Sequence, residues 1–542
     1  MKSILYTHIF LPPIRYVWQS HRIKDDEKLL AAAGNMQTIW KGDGTGLPPG
    51  ASVLLDYGRE LHGGLRFVTG RHGADFSAEK KMKIRLRFGE SVSEAMAEPN
   101  NQHAIHDTEL DLAPMGETLY GNTGFRFVRI DNLDPELTLN LLECSAHLTQ
   151  FPQERRGFFH SSDPLLNRIW ECCGNTLDCC MYPLLIDGAK RDRLVWTGDL
   201  YSEIRAAVAF YGKHPQIAAT LDYLKDETLP TGVFNGIPEY LPYWFMSHWE
   251  YFRYCGDRFY LSEQAEAFSF FAEKLLAVFE KNEEKLWETS IIDWSNSIGS
   301  KQGYWALYAA GIAAAISLAK FFREEKIELR ATAIFRRIRR KKTFPNPSKA
   351  VGALAVMAGV LPPRMAYDTI LSQDSRRGLS TFHFDLILGA YSAAGKTAEA
   401  LSLLRNYYGG MIRLGATSFW EQFEMDWLCN AARIDEMQEA GKNDIHRNCG
   451  SGCFAGYRHS LCHGWAAAPA AWMMENLLGL SPHKPGFETM RVSPNLCDLD
   501  YLEGTCPTPH GPIRISCKKG KPAELDCPHA ITVIYSRKTS RK

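Results

Sequence analysis

Short alternating runs dominate the first part of the chain. SVLLDYG at 52–58, GGLRFVTG at 63–70, KMKIRLRFGE at 81–90 and FRFVRIDNL at 125–133 put apolar residues at alternate positions between Gly, Asp and Asn punctuation. That is the pattern of strands with one buried face, and it predicts a β-sandwich over residues 1–155. The period changes after Ser161-Ser162-Asp163-Pro164, a helix-start signal, where Leu166, Ile169, Cys173, Leu177 and Cys180 fall on one helical face. Ile204, Ala207, Val208 and Tyr211 share another, and residues 262–280, 303–323 and 383–406 repeat the pattern. Between the helices lie irregular segments rich in Trp, Gly and Asp, at 187–199, 231–249, 290–303 and 412–427. Antiparallel helical hairpins would gather such loops at one end and build a site there. From Pro485 the β pattern returns in FETMRVSP, YLEGTC, PIRISCKK and AITVIYS. The expected order is a β domain at 1–155, a helical domain at 156–480 and a small β domain at 481–542.

Composition narrows the partner. Lys plus Arg equals Asp plus Glu at 62 each, so no overall field favours nucleic acid, an anionic membrane or a polyanion. The basic run Arg336–Lys342 reads as a solvated helix end ahead of Pro345. The aromatic share of 12%, with 13 Trp, points weakly toward sugar rings, whose C–H faces stack on such side chains. The fourteen cysteines include the neighbours Cys172-Cys173 and Cys179-Cys180, which suit buried thiols on a helix better than disulfides. The opening MKSILYTHIFLPPIRY lacks a small-residue cleavage site. The apolar run from Ala309 to Ala319 falls short of the ~20 residues of a membrane span. A cytoplasmic protein with a small neutral ligand and no membrane is expected, and a homo-oligomer is compatible with the sequence.

The densest chemistry lies in IDGAKRDRLVWTGDL, which sets Asp187, Lys190, Arg191, Asp192, Arg193 and Asp199 around Trp196. Neighbouring carboxylates raise each other's pKa, as glycoside hydrolysis requires of the group that protonates the leaving oxygen. The same spacing suits a surface loop of mixed charge equally well. A second segment, LGATSFWEQFEMDW, sets Glu421 after Phe419 and Trp420, where an apolar wall could tune a carboxylate that activates water. Taken alone, Glu421 also reads as an ordinary solvated residue.

Together the two segments resemble the signature regions of the inverting α-L-rhamnosidases, glycoside hydrolase family 78. The resemblance extends through LDYGRELHGGLRF, LRFGES, FRFVRI, HSSDPLLNRIW, IDW, SLCHGW, PGFETMRVSPNL and TPHGPIRIS, in the family's order, from about residue 50 to 535. It implies an (α/α)6-barrel catalytic domain flanked by N-terminal and C-terminal β-sandwich domains. It implies Asp192 as general acid, Glu421 as general base, and a terminal rhamnosyl unit as substrate. Asp187 and Asp199 would hold the sugar's hydroxyls beside Arg191, with Trp196 and Trp420 as walls. Trp244 and Trp294 match further aromatic contacts and His463 a hydroxyl-binding histidine. Single displacement with inversion needs the two carboxyls roughly 6.5 to 9.5 Å apart, and needs no metal or cofactor.

The chain departs from the commonest pattern with Gly188-Ala189 for Cys-Pro, Asp192 for Glu and Val195 for Gly. Asp is one methylene shorter, and its ordinary pKa of ≈ 3.9 needs more lifting than that of Glu. Three other readings stand beside the rhamnosidase. One is a zinc site from Cys449, Cys453, His459, Cys462 and His463, whose spacing lacks a C-x-x-C pair. Another is a hydrolase of the same scaffold for another sugar, such as a uronic acid derivative. The third is a sugar-binding protein without turnover.

Overall fold

The computed structural model describes residues 7–23, 26–31, 44–71, 81–98, 107–150, 154–281, 292–293, 303–340, 347–451 and 455–535. The first alternating runs form one large antiparallel sheet. Strand Ser52–Thr69 lies at its middle, bonded to Glu117–Asn132 on one side and Leu139–Gln150 on the other. Met82–Gly89 and Asp107–Leu112 extend the first side, and Thr7–Leu11 closes the second. Leu65, Phe67, Ile84, Leu86, Phe125 and Ile130 are fully shielded and form a core separate from that of the helices.

The 18-residue central strand changes register between Asp56 and Leu61. Bulges of this kind bend a strand and re-aim its side chains. Here the displaced stretch faces the helices. Arg126 binds Asp56 and donates to Gly415 O at 2.9 Å, while Glu60 N donates to Thr417 Oγ1 at 2.8 Å. The β layer and the helical body are thereby bonded through groups that water does not reach.

The helical body begins at the expected signal. Asp163 accepts from Leu165 N at 2.8 Å and Pro164 occupies the first turn, which fixes the start of helix Pro164–Cys179. Every residue of helix Thr197–Phe210 is buried, so it lies inside the body rather than on it. The stretch 383–406, expected as one helix, divides into Phe384–Ala393 and Thr397–Arg413. Gly395, at φ +78°, adopts the left-handed conformation that ends the first of them. Helix Tyr304–Phe322 matches the expected 303–323, and Tyr304, Trp305 and Tyr308 extend it beyond the apolar run Ala309–Ala319. By length and composition it could cross a membrane, yet two thirds of it is buried, against helices Leu241–Cys255 and Glu325–Arg340.

The C-terminal strands form two small sheets. Leu480–Lys484 pairs with Thr489–Val492, which pairs in parallel with Thr532–Tyr535. Tyr501–Cys506 lies between Ile513–Lys518 and Phe158–Ser161. The residues just after 155 are thus a strand of the C-terminal sheet and not yet helical.

Inside the helical body, Arg205 donates to Asp385 and Glu250 at 2.7 Å and to Glu475 at 3.0 Å, joining four helices. Removing one member of a buried ionic network leaves charge without compensation. Arg205→Met should therefore lose about 3–5 kcal/mol of stability, measured by denaturant titration. A loss under about 1 kcal/mol would show that the network carries no weight.

Candidate active site

The acidic segment forms a closed loop. Asp187 N donates to Leu194 O at 3.0 Å, and Leu194 N returns a 2.8 Å bond to Asp187 Oδ1. At its tip Asp192 and Arg193 both have φ +53°, a conformation costing of order 1–3 kcal/mol per residue away from glycine. Neighbours hold it: Gly124 N in strand Glu117–Asn132 donates to Ala189 O at 2.8 Å, and Arg193 donates to Asn122 O. Segment Ser418–Gln422 lies against a third loop at 456–465. Glu421 N donates to Ser460 O at 3.0 Å and His463 N to Phe419 O at 2.9 Å.

These loops enclose a cavity of about 190 Å³. Asp187, Arg191, Asp192, Trp196, Asp199, Glu421 and His463 line it, joined by Tyr240, Arg458 and Trp465. The last three were not anticipated. Trp465 stands two residues after His463, Arg458 lies in the segment considered for zinc, and Tyr240 falls in the aromatic stretch 231–249. Tyr240 meets the Trp196 ring edge-on at 6.3 Å. This approach requires Gly198, since a Cβ there would lie 2.6 Å from the tyrosine ring.

Trp420, expected as a wall, and Trp244, expected as a further aromatic contact, lie elsewhere. Trp244 is buried against Phe234, His248 and Phe271. Trp420 is fully buried, edge-on to Phe423 and His459. Both rings pack against other aromatic side chains, and neither lines the cavity. Trp294 and Cys453 fall outside the described residues. Of the other residues considered for zinc, His459 Nε2 accepts from Gln422 N at 3.0 Å, Cys462 points to Thr176 O and Cys449 pairs with Asn443. They do not converge. Glu90, Glu94 and His446 do converge, but the Lys190 ammonium lies among them, 2.9 Å from Glu90, 3.2 Å from Glu94 and 3.4 Å from His446.

Arg191 organises the polar groups. Its Nη1 binds Asp192 at 2.9 Å and its Nη2 binds Glu421 at 2.5 Å, while Nε donates to Arg458 O at 2.6 Å. Glu421 Oε2 also accepts from Ser460 N at 3.2 Å. Burial pushes Glu421 up to about 7, against the pull of Arg191 and the Ser460 amide. Burial lifts Asp187 and Asp199 well above the usual carboxylate range, and Glu421 raises both further. Glu203, also shielded, is raised by burial and then by Asp199 and Asp187.

Burial drives His463 well below the usual imidazole range, so at neutral pH the ring is uncharged. Its Nε2 stands 3.5 Å from Glu421 Oε1 and 3.9 Å from both Asp187 Oδ2 and Asp199 Oδ1. Gaps of that width suit a bridging hydroxyl better than direct bonds. The floor is therefore an array of neutral donors and acceptors, with one carboxylate that ionises near pH 7.

A raised carboxyl pKa stabilises the fold below its unfolded value, and that contribution is lost as pH rises through the folded one. For Glu421 the window runs from about 4.5 to about 7. Glu421→Gln should be more stable than wild type at pH 8 by on the order of 3 kcal/mol, and equal to it near pH 4. Parallel denaturant titrations at the two pH values measure this. An equal difference at both would remove the case for an ionising buried group.

Residues 154–310 match the family described as the bacterial alpha-L-rhamnosidase 6 hairpin glycosidase domain. An alpha-L-rhamnosidase of Alteromonas sp. (strain LOR) is 24% identical over 524 residues, covering 86% of this chain and 53% of that protein. The chain spans about half the length of this curated relative. Among solved structures, the GH78 family rhamnosidase of Bacillus sp. GL1 superposes with a TM-score of 0.73 at 18% identity, covering 90% of this chain and 53% of that one. A rhamnosidase from Klebsiella oxytoca with rhamnose bound superposes at 0.67 and 17%, covering 86% of this chain and 96% of that one. At these identities the likeness is one of fold. Residues 154–310 thus carry a sequence match to a rhamnosidase six-hairpin domain, and the chain shares its fold with solved rhamnosidases.

Proposed function

We propose that the chain hydrolyses terminal α-L-rhamnosides by single displacement with inversion, in the mouth of an (α/α)6 barrel flanked by β-sandwich domains. The observation that carries this reading is the Arg191 guanidinium, which holds Glu421 on one amino group and Asp192 on the other at the edge of the cavity. A guanidinium and two hydrogen bonds limit the nearest carboxylate oxygens to roughly 8 Å apart, compatible with a water between base and sugar. Glu421, poised near 7, takes the proton of that water. Asp192, whose side chain is 39% exposed on the rim, protonates the leaving oxygen where the aglycone meets solvent.

Asp187, Asp199 and His463 bind the hydroxyls, while Trp196, Tyr240 and Trp465 give the C–H face and the methyl group of a 6-deoxy sugar an apolar surface. The thirteen cysteines within the described residues are free thiols, which supports a reducing compartment and small rhamnosides as substrates. The exposure of Asp192 and its pairing with Arg191 instead favour a second reading, a sugar-binding protein that has lost turnover.

Wild type should release p-nitrophenol from its α-L-rhamnoside, with kcat/KM rising through an acid limb near pH 7. Asp192→Asn and Glu421→Gln should each lose about 10²- to 10⁴-fold. Proton NMR should show the β-anomer of rhamnose first. Cleavage only of other p-nitrophenyl glycosides would replace the substrate. Rhamnose affinity without turnover on any of them would establish the binding reading, and the α-anomer first would remove inversion.

A further inference from the structure

The N-terminal β layer supplies Glu90, and with it a loop that ends beneath the candidate base. Glu90 follows strand Met82–Gly89 and its side chain is wholly shielded. Its Oε2 accepts from Leu461 N at 2.6 Å and lies 2.9 Å from Lys190 Nζ, while Oε1 accepts from Ser460 Oγ at 3.0 Å. Lys190, 1% exposed, also meets Glu94 and donates to the carbonyls of Tyr457 and His459 at 2.8 Å each. Burial alone would lower its pKa, but Glu90 and Glu94 more than offset this and keep the ammonium charged.

Both ends of this pair lead to Glu421. Ser460, held by Glu90 through its hydroxyl, gives its amide to Glu421 Oε2. Arg191, next in the chain after Lys190, gives Nη2 to Glu421 Oε1 and Nε to Arg458 O in the loop that Lys190 clasps. We propose that the Glu90–Lys190 pair is a positioning element of the active site, fixing the two donors on Glu421, so that the β layer is a working part of the catalytic centre. This rests on the hydrolase reading for its kinetic consequence, but not for its structural one.

The groups facing Glu421 are Arg191, Asp192, Asp187, Asp199 and His463, with His459 behind through Gln422 N. Of these, Arg191 lowers the Glu421 pKa, as does the Ser460 amide, and both depend on the buried pair. Loosening them raises that pKa, so the base ionises only at higher pH.

The test compares Glu90→Gln, Lys190→Arg and the double variant Glu90→Leu/Lys190→Met with wild type. The double variant removes both charges together, leaving Glu94 as a neutral acid, and so avoids stranding either member of the pair if a single variant fails to fold. In Glu90→Gln and the double variant, kcat on p-nitrophenyl α-L-rhamnoside should fall about 10- to 100-fold with KM changed less than about threefold. The acid limb should move to higher pH, and Lys190→Arg should recover part of the loss. Independently, hydrogen exchange of the Ser460 and Leu461 amides should speed up at least tenfold in both variants. Wild-type exchange and an unmoved acid limb would overturn the proposal. If wild type turns over no rhamnoside, the exchange result still decides whether the pair holds the loop, and the hydrolase reading fails separately.

Discussion

Four carboxyl groups, Asp187, Asp199, Glu203 and Glu421, are shut away from water in one small volume, with the Arg191 guanidinium beside them. Buried charge without a partner is expensive, and the cheapest state protonates most of such a set. That cost explains the local sequence. Neutral acids beside a neutral imidazole offer donors and acceptors to a polyol without requiring counter-ions. A single arginine then suffices to keep one group able to ionise at neutral pH. Three loops must be held within a few ångströms for this to work, and each is tied by main-chain bonds to another element.

The β layer takes part in that holding. Its central strand bulges where it meets the helices, its neighbour donates Gly124 N beneath the acidic loop, and the turn after Met82–Gly89 carries Glu90 inward. A single ammonium, Lys190, therefore links residues far apart in sequence through five polar contacts. The converging Glu90, Glu94 and His446 thus share one ammonium between them.

Much of the fold was legible because its signals are local. Asp163-Pro164 caps a helix in any context, and alternating strands declare themselves over six or eight residues. Gly395 carried the signal for the break within 383–406, and a reading of helical period alone passes over it. The site was legible only as far as its residues share a segment. Asp187, Arg191, Asp192, Trp196 and Asp199 could be grouped because one loop and the first turn of the helix after it carry them. Trp244 and Trp420 lie outside the cavity lining, and a sequence shows that an aromatic residue is present but not which way its Cβ points. Tyr240, Arg458 and Trp465 come from separate turns that only tertiary packing unites. Glu90 and Lys190 lie a hundred residues apart, with nothing in either neighbourhood to indicate the other.

The pairing of Phe158–Ser161 with Tyr501–Cys506 makes the whole helical body an excursion between adjacent strands of one sheet. Ser161 waits for Leu502, about 340 residues later in synthesis, or roughly 20 to 70 seconds of translation. Until then that strand is an open edge, able to pair with any extended segment it meets. That sheet thus closes a loop around the helical body. Nascent chains halted within the helices would leave both sides of that strand unpaired, an opening for chaperones that pairing with Tyr501–Cys506 narrows to one side.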